Sequence, residues 1–267
     1  MLANIKGFLT KLLLGEVNAR PNNKLNPAIG NQWKNVKRIW NNTTYKDFGI
    51  ERFIRLILGL SMFVFPGLYV RHISGRFGLQ WRKIVLEFYV VVKILLPIIF
   101  FYYHLTNNIA IAFLSSYLAI ETIFYLGSLI FLSSEFAAPM SYRRSLLMLF
   151  INYIELCLSY AVIYSYLNQN VAGFFGDKTL TSMQVIYFSF VTSSTLGYGD
   201  FTVHTSCGYA LVISQIIVFL IFIALFLNFF ASKIQDPTYY NSTVTYPKQK
   251  KLKQAQPKTA KSLNKDS

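Results

Sequence analysis

The chain of 267 residues is 54% hydrophobic and 17% aromatic but only 14% charged, more apolar material than a soluble core needs. That balance excludes an ordinary water-soluble domain and puts the chain in a bilayer. The net charge of +15 belongs mostly to the ends, with eight Lys or Arg between Met1 and Glu51 and eight more from Lys233 to Lys265. Beside membrane helices, such tails attract anionic lipid and fix topology. No nucleic-acid motif accompanies the charge, so nucleic acid is not an expected partner.

In chain order, Leu2, Ile5, Phe8, Leu9, Leu12 and Leu13 recur at helical spacing, which predicts an amphipathic helix lying on the cytoplasmic leaflet. The polar, Asn-rich stretch from Asn18 to Asn42 reads as a linker. Phe53 to Val70 is apolar but short, carrying Arg55 near its start and Pro66-Gly67 near its end; a re-entrant or interfacial segment is expected. Four longer runs can span the hydrocarbon core: Ile84 to Tyr103, Ile109 to Leu132, Ser145 to Leu167 and Tyr209 to Ala231. If they do, Arg71, Arg76, Arg82, Lys83, Arg143 and Arg144 share one side, which the positive-inside rule makes the cytoplasm. The opposite loops contain only Lys178 as a Lys or Arg. Both termini are then cytoplasmic, and the glycosylation patterns at Asn41, Asn42 and Asn241 are chance matches. From Asn241 onward, Lys, Gln, Pro and Ser predict disorder.

Two cysteines, Cys157 and Cys207, make no disulfide framework, and His72, His104 and His204 lie far apart. No clustered nucleophile and base suggests an enzyme, and no cofactor is expected. Between the last two spans, Leu180 to Ser193 is apolar yet too short to cross, so it must dip in and return. Irregular backbone survives at membrane depth only where protein buries it or water reaches it. Immediately after it stands TSSTLGYGDF, Thr192 to Phe201. Gly197 and Gly199, alternating with Leu196 and Tyr198, let successive carbonyls point one way and replace the water around a dehydrated cation.

This stretch resembles the filter of the potassium channels, Thr-x-Gly-Tyr-Gly, through Thr192, Thr195, Gly197, Tyr198, Gly199 and Asp200 with a pore-helix run before and an apolar span after. The resemblance covers about Ser145 to Ala231. It implies an all-α membrane protein in which a helix, pore helix, filter, helix module follows a transmembrane hairpin. Four copies would surround one pore, with potassium held at Thr195, Leu196, Gly197, Tyr198 and Gly199. Thr192 would support the filter, Tyr187 and Phe188 would brace it, and Asp200 would cap its outer mouth. For the two aromatics, ordinary packing is an equal alternative. Leu196 stands in place of the common valine, and Val191 where some members carry a carboxylate. Phe201-Thr202-Val203 lacks the proline often found after the aspartate.

The domains expected are a basic cytoplasmic arm with an amphipathic helix (1–52), a re-entrant or interfacial segment with a basic loop (53–83), and a transmembrane hairpin (84–133). A pore domain (145–233) and a disordered basic tail (234–267) follow. The expected function is passive, potassium-selective conduction in a plasma or cell inner membrane. No span carries arginines at every third position, so voltage gating is not expected. The alternatives are a non-selective cation channel, which Tyr198 argues against, and a non-conducting accessory subunit, which the intact Gly-Tyr-Gly argues against. Gln215 and Asn228 on the last span are read as interhelical hydrogen-bonding residues. Lys93, Glu121 and Glu155 fall on three different spans, each roughly 13 to 17 Å from its cytoplasmic end. A lone charge there costs at least about 2.5 kcal/mol, so Lys93 is expected to pair with Glu121. Glu155 adds one carboxyl more than the lysine balances.

Overall fold

The computed structural model describes residues 28–42, 49–77, 79–132 and 142–234. Every regular element among them is helical: α1 Ala28–Trp40, α2 Ile50–Ser61, α3 Pro66–Gly75, α4 Leu79–Tyr102, α5 Ile109–Phe131, α6 Tyr142–Asn170, α7 Ser182–Ser193 and α8 Ser206–Ile234. A single 3-10 turn, Leu105–Asn107, joins α4 to α5. Four stretches are long and apolar enough to cross a membrane: Ile84–Tyr102, Ile109–Phe131, Leu146–Asn170 and Ser206–Leu225. The fold is that of an all-α membrane protein. The chain divides into two units, Met1–Phe229 and Phe230–Ser267; of the second, only residues 230–234 are described, and they are helical.

The segment expected to be a linker is corrected in part, because Ala28–Trp40 is helical. Its apolar residues Trp33, Val36, Ile39 and Trp40 recur every three or four positions, a weak stripe among asparagines and lysines. Val36 and Ile39 are buried, and a Cβ on Gly59 of α2 would come within 3.2 Å of the Val36 side chain. Tertiary contact with α2 thus holds a helix that its composition barely favours. The expected amphipathic helix of residues 1–15 and the tail beyond Ile234 lie outside the described residues.

The Phe53 to Val70 stretch forms two helices, α2 and α3, bent by 63°. The bend falls where Phe65 takes an extended conformation (φ −96°, ψ 145°) ahead of Pro66 at the start of α3. A residue before proline is pushed out of the helical region, and proline is tolerated in a first turn where its missing N–H has no partner to lose. The geometry is that of a broken span or a re-entrant loop.

Helix α6 is the hub, packing on α4, α5 and α7. Its middle is closed off from solvent on all sides: Cys157, Ala161, Val162 and Tyr164 are fully buried. On one side Leu149 and Leu156 join Val218, Phe222 and Leu225 of α8. On another, Ala161 and Val162 meet Phe100 and Phe101 of α4. Near its C-terminal end, Tyr160 and Tyr164 enter an aromatic cluster with Phe174, Phe175 and Phe188. At the far end of α5, Gly127 admits α2 so closely that a Cβ there would lie 3.2 Å from Leu58 Cδ2. Replacing Gly127 with leucine should therefore force α2 and α5 apart and lower stability by about 1–3 kcal/mol. Thermal unfolding in detergent micelles would read this, with Phe113→Leu, at a site 68% exposed, unchanged as the comparison.

Candidate functional site, a pore helix and filter beside a buried charge cluster

Helix α7 starts with a side-chain lock. Gln184 N–H donates to Thr181 Oγ1 at 3.5 Å while Thr181 N–H donates to Gln184 Oε1 at 2.8 Å, the reciprocal box that satisfies two orphan amides at a helix start. Asn168 of α6 grips the residue before it, donating to the Leu180 carbonyl at 2.9 Å and accepting from its N–H at 3.3 Å. The short helix is therefore held at its N-terminus by α6.

Its inner end is held by a polar chain. Ser189 Oγ donates to the Cys157 carbonyl at 2.6 Å, and Cys157 Sγ donates to Ser193 Oγ at 3.3 Å. Gln215 of α8 donates to both the carbonyl and the hydroxyl of Ser189 at 2.9 Å and accepts from Tyr164 Oη at 2.9 Å. Gln215 is thus an interhelical bridge, buried between α6, α7 and α8. Phe188 packs edge-on against Tyr164 and Phe175 behind the pore helix.

The chain leaves α7 with Thr195 N–H donating to Thr192 O at 3.1 Å and Leu196 N–H to Val191 O at 3.2 Å. Then the backbone alternates: φ is +56° at Thr195, +55° at Gly197 and +78° at Gly199, whereas Leu196 and Tyr198 keep negative φ. A β-branched residue at positive φ is a genuine outlier, and such strain persists only where the surroundings impose it. Alternation of this kind turns successive carbonyls toward one side. Residues 195–200 are all exposed in the single chain. At the outer end, Asp200 Oδ1 accepts the Phe201 N–H at 3.1 Å. Tyr187 meets Phe201 edge to face at 6.1 Å.

Away from the filter, the structure brings Lys93, Glu121 and Glu155 together. Lys93 Nζ lies 3.4 Å from Glu121 Oε2 and 3.9 Å from Glu155 Oε2. It also donates to the Leu118 carbonyl at 3.2 Å and to Thr122 Oγ1. Every carboxylate oxygen has a donor. Tyr89 donates to Glu121 Oε2 at 2.6 Å, Gly67 N–H to Glu121 Oε1 at 3.0 Å, Thr122 to Glu155 Oε2 at 2.8 Å, and Ser159 to Glu155 Oε1 at 3.1 Å. All three charged side chains are buried.

Sequence reasoning missed Tyr89, Thr122, Ser159 and Gly67 as members of this cluster. The one legible signal is Pro66-Gly67, which marks the start of α3, where unpaired amides and the helix dipole favour a carboxylate. A Cβ at Gly67 would stand 2.8 Å from Glu121 Oε1, so the carboxylate would have to shift to admit one. Among the described residues, no three His, Cys, Asp or Glu side chains gather as a metal site.

Residues 152–236 match a protein-family model described as Ion channel. That match spans the second half of α6, the short helix α7, the glycine-containing segment after it and α8. Neither the curated proteins nor the solved structures yield a match for the chain.

Breaking a buried, hydrogen-bonded ion pair costs about 3–5 kcal/mol when one partner is removed, because the other charge is left stranded. Lys93→Met should therefore sharply lower folded yield and unfolding temperature in micelles. Adding Glu121→Gln should recover part of that loss, and a double variant no more stable than the single one would break the pairing argument.

Proposed function

We propose that the protein is a potassium-selective channel, passing ions passively through a homotetrameric pore, with both termini cytoplasmic in a plasma or cell inner membrane. The observation that carries this reading is the alternating backbone from Thr195 to Gly199, aimed by a pore helix locked at both ends. Carbonyls turned to one side offer a dehydrated cation a substitute for its water. Thr195 adds a hydroxyl at the inner end, and Thr192, one turn back on α7, supports the descent into the filter.

What one chain lacks supports assembly of several copies. Nothing lies within 4 Å of a Cβ built on Gly197 or Gly199, and unsatisfied carbonyls in hydrocarbon cost several kcal/mol each. Copies arranged about an axis complete the site and place the strands opposite one another. Helix α8 supports this with an exposed apolar stripe of Ile213, Ile217, Leu220 and Leu227, available to neighbouring copies or lipid. With no arginine-repeat sensor, gating falls to the filter or to the buried cluster that α6 shares with the pore.

Purified protein in liposomes, with potassium and sodium on opposite sides, should give a reversal potential near that of potassium. Gly197→Asp should abolish the current by placing a charge in the carbonyl stack; equal permeability to the two ions would reject selectivity. Chemical cross-linking in micelles should drive the chain to a limit of four copies, and a ladder ending at two would reject the tetramer.

A further inference from the structure

Two cavities adjoin where α1, α3 and α4 meet. The smaller, about 120 Å³, is lined by the amides Asn31, Gln32 and Asn35 of α1 together with Arg71 and Arg82. The larger, about 390 Å³, shares Arg71 and Arg82 and then runs between Phe65, Leu86, Phe124 and Met148 toward Lys93. Their common wall also includes Met62 and Leu68. The pair forms one amphipathic space with its two arginines at the junction.

The depth of each end is set by α4. Arg82 precedes the spanning stretch Ile84–Tyr102, which puts it at headgroup level. Lys93 lies eleven residues further on, roughly 16 Å deeper at 1.5 Å per residue. The larger cavity also contains Glu87 and Glu121. Glu121 and Lys93 pair with one another at the deep end, whereas Arg71 and Arg82 stand at the shallow end, where they line both cavities. Burial, and secondarily the neighbouring Arg71 guanidinium, pull the pKa of Arg82 below its ordinary value. Two guanidiniums that line the same cavities offer charge-assisted hydrogen bonds to an anion there.

We propose that this space is a binding site for one anionic phospholipid of the basic-side leaflet, its phosphodiester on Arg71 and Arg82 and one acyl chain in the cavity beside α4. A soluble phosphate would satisfy the arginines but leave the 390 Å³ cavity, of the size that holds small ligands, without an apolar occupant. The site lies outside the filter, and its occupancy is read by binding alone, independently of ion conduction.

The full-length chain in neutral detergent, titrated with phosphatidylglycerol and followed by native mass spectrometry, should retain the lipid more tightly than phosphatidylcholine. Glycerol 3-phosphate, which has the charge but no chains, should fail to displace it. Arg71→Gln with Arg82→Gln should weaken retention by about tenfold or more, the loss expected for charge-assisted hydrogen bonds. Leu86→Trp, which keeps both arginines and fills the apolar end, should weaken it comparably while helical content stays unchanged. Displacement by glycerol 3-phosphate would make this a soluble-anion site. Retention by Leu86→Trp equal to that of the parent, or equal retention of the two lipids, would likewise overturn the proposal. Should the double arginine variant fail to fold, Leu86→Trp and the competition with glycerol 3-phosphate decide the question.

Discussion

The ammonium of Lys93, enclosed by protein with two carboxyls, constrains everything around it. A charge at this depth is stable only with partners, and those partners come from separate elements: Glu121, Thr122 and the Leu118 carbonyl from α5, and Glu155 from α6. Glu121 in turn takes the Gly67 amide of α3 and the Tyr89 hydroxyl of α4. Four helices are thus fixed in height and rotation by one group of hydrogen bonds. Apolar contacts cannot do this in a bilayer, because lipid tails solvate leucine as well as a neighbouring helix does. Sliding α4, α5 or α6 by a turn strands a charge, and sliding α3 takes a donor from Glu121.

That constraint reaches the pore through α6. Glu155 closes the charge cluster, and two residues later Cys157 holds Ser189 and Ser193 at the inner end of the pore helix. One turn further on, Tyr160 bonds Ser214, and Tyr164 bonds Gln215 of α8. A single helix therefore presents a charged face to the upstream hairpin and a chain of neutral hydrogen bonds to the pore. Glu155 and the supports of α7 thus sit on one helix, so the hydrogen bonds of the upstream helices and those of α7 share a single element.

The segment from Thr195 to Gly199 uses strain where the rest of the fold uses satisfaction. Thr195 sits at positive φ with its amide bonded back to Thr192, so the cost of the left-handed turn is met by the anchored helix behind it. Beyond that point the strand is exposed along its length. The segment is thus anchored at its start and exposed beyond it.

The four long apolar runs were legible as runs, with ends displaced by up to six residues, because a helix in a bilayer must satisfy its own backbone and so writes its length into the sequence. The Gly-Tyr-Gly segment after a half-length apolar run was legible for the same reason, since only buried or water-lined backbone tolerates it. The meeting of Lys93 with Glu121 could be anticipated from the cost of an unpaired charge and the register of a hairpin. Tertiary structure alone decided that α1 is a helix rather than a linker, since its stripe is weak until α2 covers it. It alone brought Gly67 and Tyr89 to Glu121 from other helices, and it alone opened the paired cavities at Arg71 and Arg82. Periodicity records which side of a helix is apolar; which neighbour that side meets, and at what height, is set by contacts between residues dozens of positions apart.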